Sequence, residues 1–396
     1  MGRRVPVGGS APLKFPYSPG LDGVVAGITR ICRIDSEVSN VQYRGYDVCD
    51  LARDGCYEET AYLLIHGSLP TVSQLAAFRS RLDGLRRVPH EVYRVLGALP
   101  PHTDPMDVMR TAFSVLGSTD PDYRRPATDR EANLRKAERI LALAPTIAGN
   151  GFRIMQGLEP LDPLADRGSA ANLLYLASES APDPEVERFL DACMVLYAEH
   201  EFNASTFVGR IAASTLSDLY GSVTSAVCAL KGPLHGGAID GALAMILEIG
   251  SPELAEDWLL ASLASGRRIM GFGHREHRHA DPRASLLSSL AKSLGEERSQ
   301  PQLFEIASTL ERAMIQRRGL HANIDLAASF GFHLAGVPRE MSLPVFASAR
   351  MAGWLANAIE QLERNRIFTP TFLLTGDEWQ AGRRQFHSVK PGSDCR

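Results

Sequence analysis

The sequence predicts a mainly α-helical protein with a small β ribbon near its N-terminus. Three observations carry this expectation. β-Branched, strand-like stretches are confined to residues 24–34 and 41–46, broken by Asp35, Ser36 and Gly45. Beyond Tyr57, apolar residues recur at helical spacing almost to the end of the chain. No strand–helix alternation runs through it, which disfavours a nucleotide-binding sheet or an α/β barrel.

Taken in order, residues 1–20 read as a poorly ordered or extended arm, rich in proline and glycine. Thr71 followed by Gln74 forms a capping box, each side chain satisfying the other's free N–H. Leu75, Phe78, Leu82 and Leu85 then share one helical face. Asp104 is an N-cap with Pro105 at the first helical position, and Gly117 is a stop. Pro145 is expected to kink or end the helix that begins near Arg130. From Pro344 to about Arg364 one long apolar helix carries Phe346, Trp354, Leu355, Ile359 and Leu362. Ala349, Ala352, Gly353 and Ala356 lie between them, small enough for close helix packing. Loops are expected at 118–129, 157–168 and 295–301. No internal repeat or low-complexity tract is visible.

Composition bounds the function classes. The chain has 396 residues, 44% hydrophobic and 22% charged, as in an ordinary globular protein with a large core. A net charge of −4 gives no overall attraction to nucleic acid or anionic membrane. Cys32, Cys49, Cys56, Cys193, Cys228 and Cys395 form no CxxC pair, so reduced thiols in a cytoplasm are expected. The N-terminus lacks the apolar stretch of a secretory signal. No run approaches the length of a membrane span.

Chemistry concentrates in a few settings. His235 lies in GPLHGG (232–237), His274 in GFGH (271–274) and His200 in EHEFNAST (199–206). Flanking glycines let a ligand approach both ring and backbone, although each histidine could equally cap a turn. His274, His277, His279 and Asp281 are possible metal ligands, but the interleaved Arg275, Arg278 and Arg283 oppose a cation and favour phosphate or carboxylate. Asp325, in HANID (321–325), lies among apolar residues. It reads as a general base of raised pKa, a helix N-cap, or both. Arg350 is an isolated cation on the long apolar helix and requires an anion, from a protein carboxylate or a substrate.

These segments together resemble the citrate synthase family over about 20–376. GLDGVVAG (20–27), YRGYDVCDLA (43–52), YAEHEFNASTF (197–207), GPLHGG (232–237), RIMGFGHREHRHADPRA (268–284), HANIDLA (321–327) and FASARMAGWLANAIEQ (346–361) follow in the family's order. The resemblance implies a helical homodimer with a large domain, 21–236 and 337–396, and a small one, 237–336, that closes over the site. It implies Claisen condensation of acetyl-CoA or propionyl-CoA with oxaloacetate, then thioester hydrolysis to citrate or 2-methylcitrate and CoA. This is chemistry of the tricarboxylic acid cycle type, without metal or redox cofactor. Asp325 corresponds to the base, His235 to the donor on the thioester oxygen, and His274 to the group polarising the 2-oxo carbonyl. His200, Arg283 and Arg350 correspond to carboxylate binders. Arg278 and the loop of Ile269, Met270, Gly271, Phe272 and Gly273 correspond to the CoA site.

Four departures from the family pattern stand out. Thr369 precedes Pro370 where the family has an arginine that reaches the partner's site; Arg366, Arg383 or Arg384 is a possible substitute. Ile239 and Asp240 replace Asn-Glu. Ala322 replaces a proline near the base, which loosens the expected backbone. Tyr197 stands where many members have histidine, and Tyr-Ala-Glu-His also resembles the 2-methylcitrate branch. A different 2-oxo acid, or a non-catalytic paralogue binding CoA or a tricarboxylate, therefore stay open as alternatives.

Overall fold

The computed structural model describes residues 17–35, 39–273 and 280–370. A three-stranded antiparallel ribbon comes first: β1 (Cys32–Asp35), β2 (Asn40–Tyr43) and β3 (Tyr46–Asp47), paired in that order. Sixteen helices follow among the described residues. They are α1 (Val48–Asp54), α2 (Tyr57–His66), α3 (Val72–Leu85), α4 (His90–Leu96), α5 (Pro105–Thr119), α6 (Arg130–Met155), α7 (Ser169–Ser178) and α8 (Pro184–Tyr197). Then come α9 (Ala204–Ser214), α10 (Leu219–Leu230), α11 (Ala238–Ile249), α12 (Ala255–Ala264), α13 (Pro282–Glu297), α14 (Gln302–Arg318), α15 (Ile324–Leu334) and α16 (Ser342–Glu363). None is long and apolar enough to cross a membrane.

The mainly helical expectation holds, and several local readings hold in detail. Thr71 Oγ1 accepts from the Gln74 N–H at 3.3 Å while Gln74 Oε1 accepts from the Thr71 N–H at 2.8 Å. Asp104 caps α5 through the Met106 N–H at 2.8 Å. On α3, Phe78 and Leu82 are buried and Leu85 packs at the core edge.

Other readings are corrected. Residues 24–30 do not form strand: Val25 and Ile28 are exposed with no pairing partner among the described residues, and pairing begins only at Cys32. Helix starts before Tyr57, because Asp47 Oδ1 accepts from the N–H groups of Cys49 and Asp50 and launches α1. Gly117 does not stop α5, which runs on to Thr119. It lies where a Cβ would come 3.1 Å from Tyr220, so its role is packing. Pro145 does not end α6, which continues to Met155. A proline inside a helix costs about 3 kcal/mol. Ile147 and Met155, both buried beyond it, each return about 1.5–3 kcal/mol.

α16 is the central pillar, packing against α2, α6, α8, α9 and α10. Nearly all of it is buried, including Ala347, Ala349, Ala352, Gly353, Ala356 and Ala358. Helices α11 to α15 pack largely on one another and meet the rest through α1, α8 and α16. Close approach is also built into α6. A Cβ at Gly149 would sit 2.5 Å from Leu176 Cβ and 3.0 Å from its carbonyl carbon. Gly149→Ala is expected to cost about 1–3 kcal/mol, typical of overpacking. Urea denaturation checks it, and an unchanged midpoint contradicts the packing described.

Candidate active site

The backbone around Asp325 is fixed by two glycines. Gly271 and Gly273 adopt φ of +80° and +76°, a region that favours glycine. A Cβ at Gly271 would lie 2.8 Å from Leu326 Cβ, so the 269–273 loop lies directly against α15. Phe272 and Ala322 form an antiparallel bridge. The Gly273 N–H donates to His321 O and the Asn323 N–H to Gly271 O, each at 3.0 Å; the Asn323 amide donates to Gly273 O. Ala322 does not loosen this segment. Its N–H, which proline would lack, lies 3.3 Å from Glu311 Oε1.

Asp325 is not the cap of α15. Asn323 fills that role, its Oδ1 accepting from the Asp325 N–H at 3.1 Å. Asp325 therefore sits in the first turn, its carboxylate free for another partner. That partner is Tyr197, at the end of α8, whose hydroxyl donates to Oδ1 at 2.7 Å. Surrounding protein pushes the Asp325 carboxyl above its ordinary range, against the Tyr197 hydrogen bond and the charges of Arg283 and Arg350. Burial, then the neighbouring Asp325 charge, pushes the Tyr197 phenol well up, so it remains a donor.

Tyr197 also connects Asp325 to α16. Its carbonyl accepts from Arg350 Nε at 2.5 Å, and its ring stands edge-on to Phe346 with centroids 4.5 Å apart. Arg350 is 2% exposed and lies 4.7 Å over the Phe346 ring. Burial lowers its pKa, opposed chiefly by Glu199.

His235 follows α10 in a tight turn, its N–H donating to Gly232 O at 2.8 Å. Its Nε2 lies 2.9 Å from Ser205 Oγ in the first turn of α9. The Trp354 indole N–H on α16 donates to the same oxygen at 3.2 Å. Burial, reinforced by the Arg350 charge, lowers the His235 pKa to about 4. The ring is therefore neutral at pH 7 and can donate without carrying charge.

Arg283 is held on α13 by Asp281. Its Nε and Nη2 donate to the two carboxylate oxygens at 3.0 and 2.9 Å, with both side chains 1% exposed. Arg283 Nη1 is buried without a hydrogen-bond partner among the described residues. Its charge acts on both Asp325 and Tyr197. His200 is half-buried, between buried Glu199 and Glu201, whose φ is +51°. Ile269 is buried, and Met270 packs where a Cβ on Gly241 would come within 2.9 Å. His274 and Arg278 lie outside the described residues, as do Arg383 and Arg384. Thr369 and Arg366 are exposed on a C-terminal arm that is tied down where the Phe368 N–H donates to Ser214 Oγ.

The structure thus links Asp325, Tyr197, Arg350, Ser205 and His235 through α16. The pattern of the citrate synthase C-terminal domain matches residues 20–371 of this chain. The chain belongs to the citrate synthase family. It is 40% identical over 351 residues to a citrate synthase of Mycolicibacterium smegmatis, covering 89% of this chain and 93% of the relative. It is 39% identical over 359 residues to a 2-methylcitrate synthase of Mycobacterium tuberculosis, covering 91% and 90%. The solved citrate synthase of Pyrobaculum aerophilum superposes with a TM-score of 0.88 at 36% identity, over 96% of this chain and 98% of that one. Sequence reasoning missed Ser205 and Trp354, which have no pattern of their own; it noted Tyr197 only as a departure from the citrate synthase family.

The Tyr197 hydrogen bond favours ionised Asp325, so Tyr197→Phe raises the Asp325 pKa further. If Asp325 acts as a base, the acid limb of the kcat/KM profile moves to higher pH, and an unmoved limb contradicts the coupling. Ser205→Ala removes the only side chain hydrogen-bonded to the His235 ring among the described residues. It is expected to lower kcat about tenfold, the equivalent of one hydrogen bond of about 1.4 kcal/mol. Trp354→Phe, which leaves that contact in place, is expected to cost less in the same steady-state assay.

Proposed function

We propose that this chain condenses a short acyl-CoA, acetyl-CoA or propionyl-CoA, with oxaloacetate and hydrolyses the thioester to release citrate or 2-methylcitrate and CoA. The observation that carries the reading is the Asp325 carboxyl, raised in pKa and held by Tyr197 of α8, whose carbonyl meets Arg350 on α16, the helix that also reaches Ser205 beside His235. In this reading Asp325 removes the α-proton of the acyl group. Neutral His235 donates to the thioester oxygen as the enol forms, and His274 polarises the 2-oxo carbonyl. His200, Arg283 and Arg350 take the carboxylates, while Arg278 and the 269–273 loop take the CoA. Residues 237–336 form a small domain that closes on the rest, and two copies of the chain assemble as a dimer. The reaction so written needs no cofactor beyond the CoA thioester.

Relatives named for both citrate and 2-methylcitrate support leaving the acyl group open between two and three carbons. A difference of one methylene is worth only about 1–3 kcal/mol of discrimination. A second reading, the same chemistry on another 2-oxo acid, is favoured by buried Ile239 and by Thr369 in place of a cation. A panel of mono- and diacid 2-oxo acids with both acyl-CoAs, followed by CoA release, separates the two. Turnover with oxaloacetate is expected, and Asp325→Asn is expected to lower it about 10²–10⁴-fold, the usual contribution of a general base. Folded protein that releases no CoA with any pair refutes the enzymatic reading.

A further inference from the structure

Arg350 has a second neighbour whose role the proposed reaction does not use. Glu199 is fully buried, with 0% exposure, in the loop between α8 and α9. α16 makes room for it: a Cβ on Gly353 would come 2.2 Å from Glu199 Oε2 and 2.3 Å from Ala198 O. The Gly353 N–H donates to Ala198 O at 3.1 Å, which fastens this loop to the helix one turn beyond Arg350. Among the described residues neither carboxylate oxygen of Glu199 has a well-formed hydrogen bond. Its nearest polar neighbours are the Asn357 amide and the His200 backbone. The Asn357 amide already donates to Gly353 O, and its oxygen accepts from Arg210.

Among the described residues the charges acting on Glu199 are few. Arg350 on α16 is the principal cation, and Glu201 in the same loop is the nearest like charge. Cys32 on β1 and Arg44 beyond β2 also feel it. The Cys32 thiol and the Tyr43 phenol, both pushed up by burial, stay neutral. His200 is its sequence neighbour. Burial, opposed mainly by Arg350, brings the Glu199 carboxyl to about 7. Among the described residues Glu199 and Arg350 form no direct ion pair, so the buried guanidinium acts on the buried carboxyl through its charge. A second anion brought to Arg350 weakens the attraction that keeps Glu199 ionised.

We propose that Glu199 is a positioning residue that shares Arg350 with the oxo acid, balancing the cation in the empty site and taking up a proton from solvent when the substrate carboxylate arrives. This rests on the proposed function, specifically on Arg350 as a carboxylate binder. The consequence is a linkage between substrate binding and pH that the substrate itself cannot produce, since its carboxylates remain ionised above pH 6.

Calorimetric titration of oxaloacetate into the full-length protein, in buffers of different ionisation enthalpy, tests it. At pH 8 wild-type protein is expected to take up between about half and one proton per site. Its affinity should weaken toward about tenfold per pH unit above pH 7. Glu199→Gln, which keeps shape and removes the charge, should abolish that uptake. It should bind as wild type does at pH 6 and up to about tenfold more tightly at pH 8. Binding without proton uptake by wild type, or uptake that persists in Glu199→Gln, overturns the role of Glu199 and leaves the functional reading intact. Wild-type protein that does not bind oxaloacetate at any pH overturns both. Should Glu199→Gln fail to fold, the wild-type proton count at pH 8 and pH 6 decides alone, since no uptake at pH 8 refutes the proposal.

Discussion

A guanidinium buried in the middle of an apolar helix is the constraint around which this molecule is arranged. Arg350 cannot be left unbalanced in α16. The Tyr197 carbonyl and the Phe346 ring face meet it directly, and the Glu199 carboxyl acts on it through charge. Gly353 is needed because a side chain there would expel the loop bearing Glu199. The carbonyls of Ser348 and Ala349, immediately before Arg350, accept from the Tyr57 hydroxyl at 2.9 Å. α2, α8 and α16 are thereby locked around one cation. The same charge helps to keep His235 neutral and holds down the Asp325 carboxyl against burial.

Much of the fold was legible because it rests on local chemistry. The capping box at Thr71 and the Asp104–Pro105 start need only a few neighbouring residues to work. The failures share one cause. At Pro145 the local penalty is real but is outweighed by contacts with α3, α5, α7 and α16, none of which a window of sequence contains. At Gly117 the absence of a side chain serves Tyr220, about a hundred residues away. Strand propensity in 24–30 met no partner, and propensity without pairing does not form a sheet.

The site divides the same way. Asp325, His235 and Arg350 stood out because acidic, imidazole or cationic groups in apolar or glycine-rich settings need an explanation. Ser205 and Trp354 did not, since a serine in a first helical turn and a tryptophan in a core helix are ordinary. Only the fold brings them to one imidazole. Asp325 itself was open to cap, base or both, and Asn323 removes the cap reading by taking that role and leaving the carboxylate to Tyr197.

The N-terminal ribbon looks peripheral, yet Tyr43 on β2 holds the loop that carries Glu199. Its hydroxyl donates to Glu199 O at 2.9 Å and accepts from the Glu199 N–H at 3.2 Å, across 156 residues of chain. Tyr197 and Asp325 are 128 positions apart, and Arg350 bonds to Tyr197 over 153. Contacts of such separation form late, because long loops must close first. A chain emerging from the ribosome therefore carries its earliest strands unanchored until α8 appears. The pocket can acquire its shape only once α16 has left the exit tunnel.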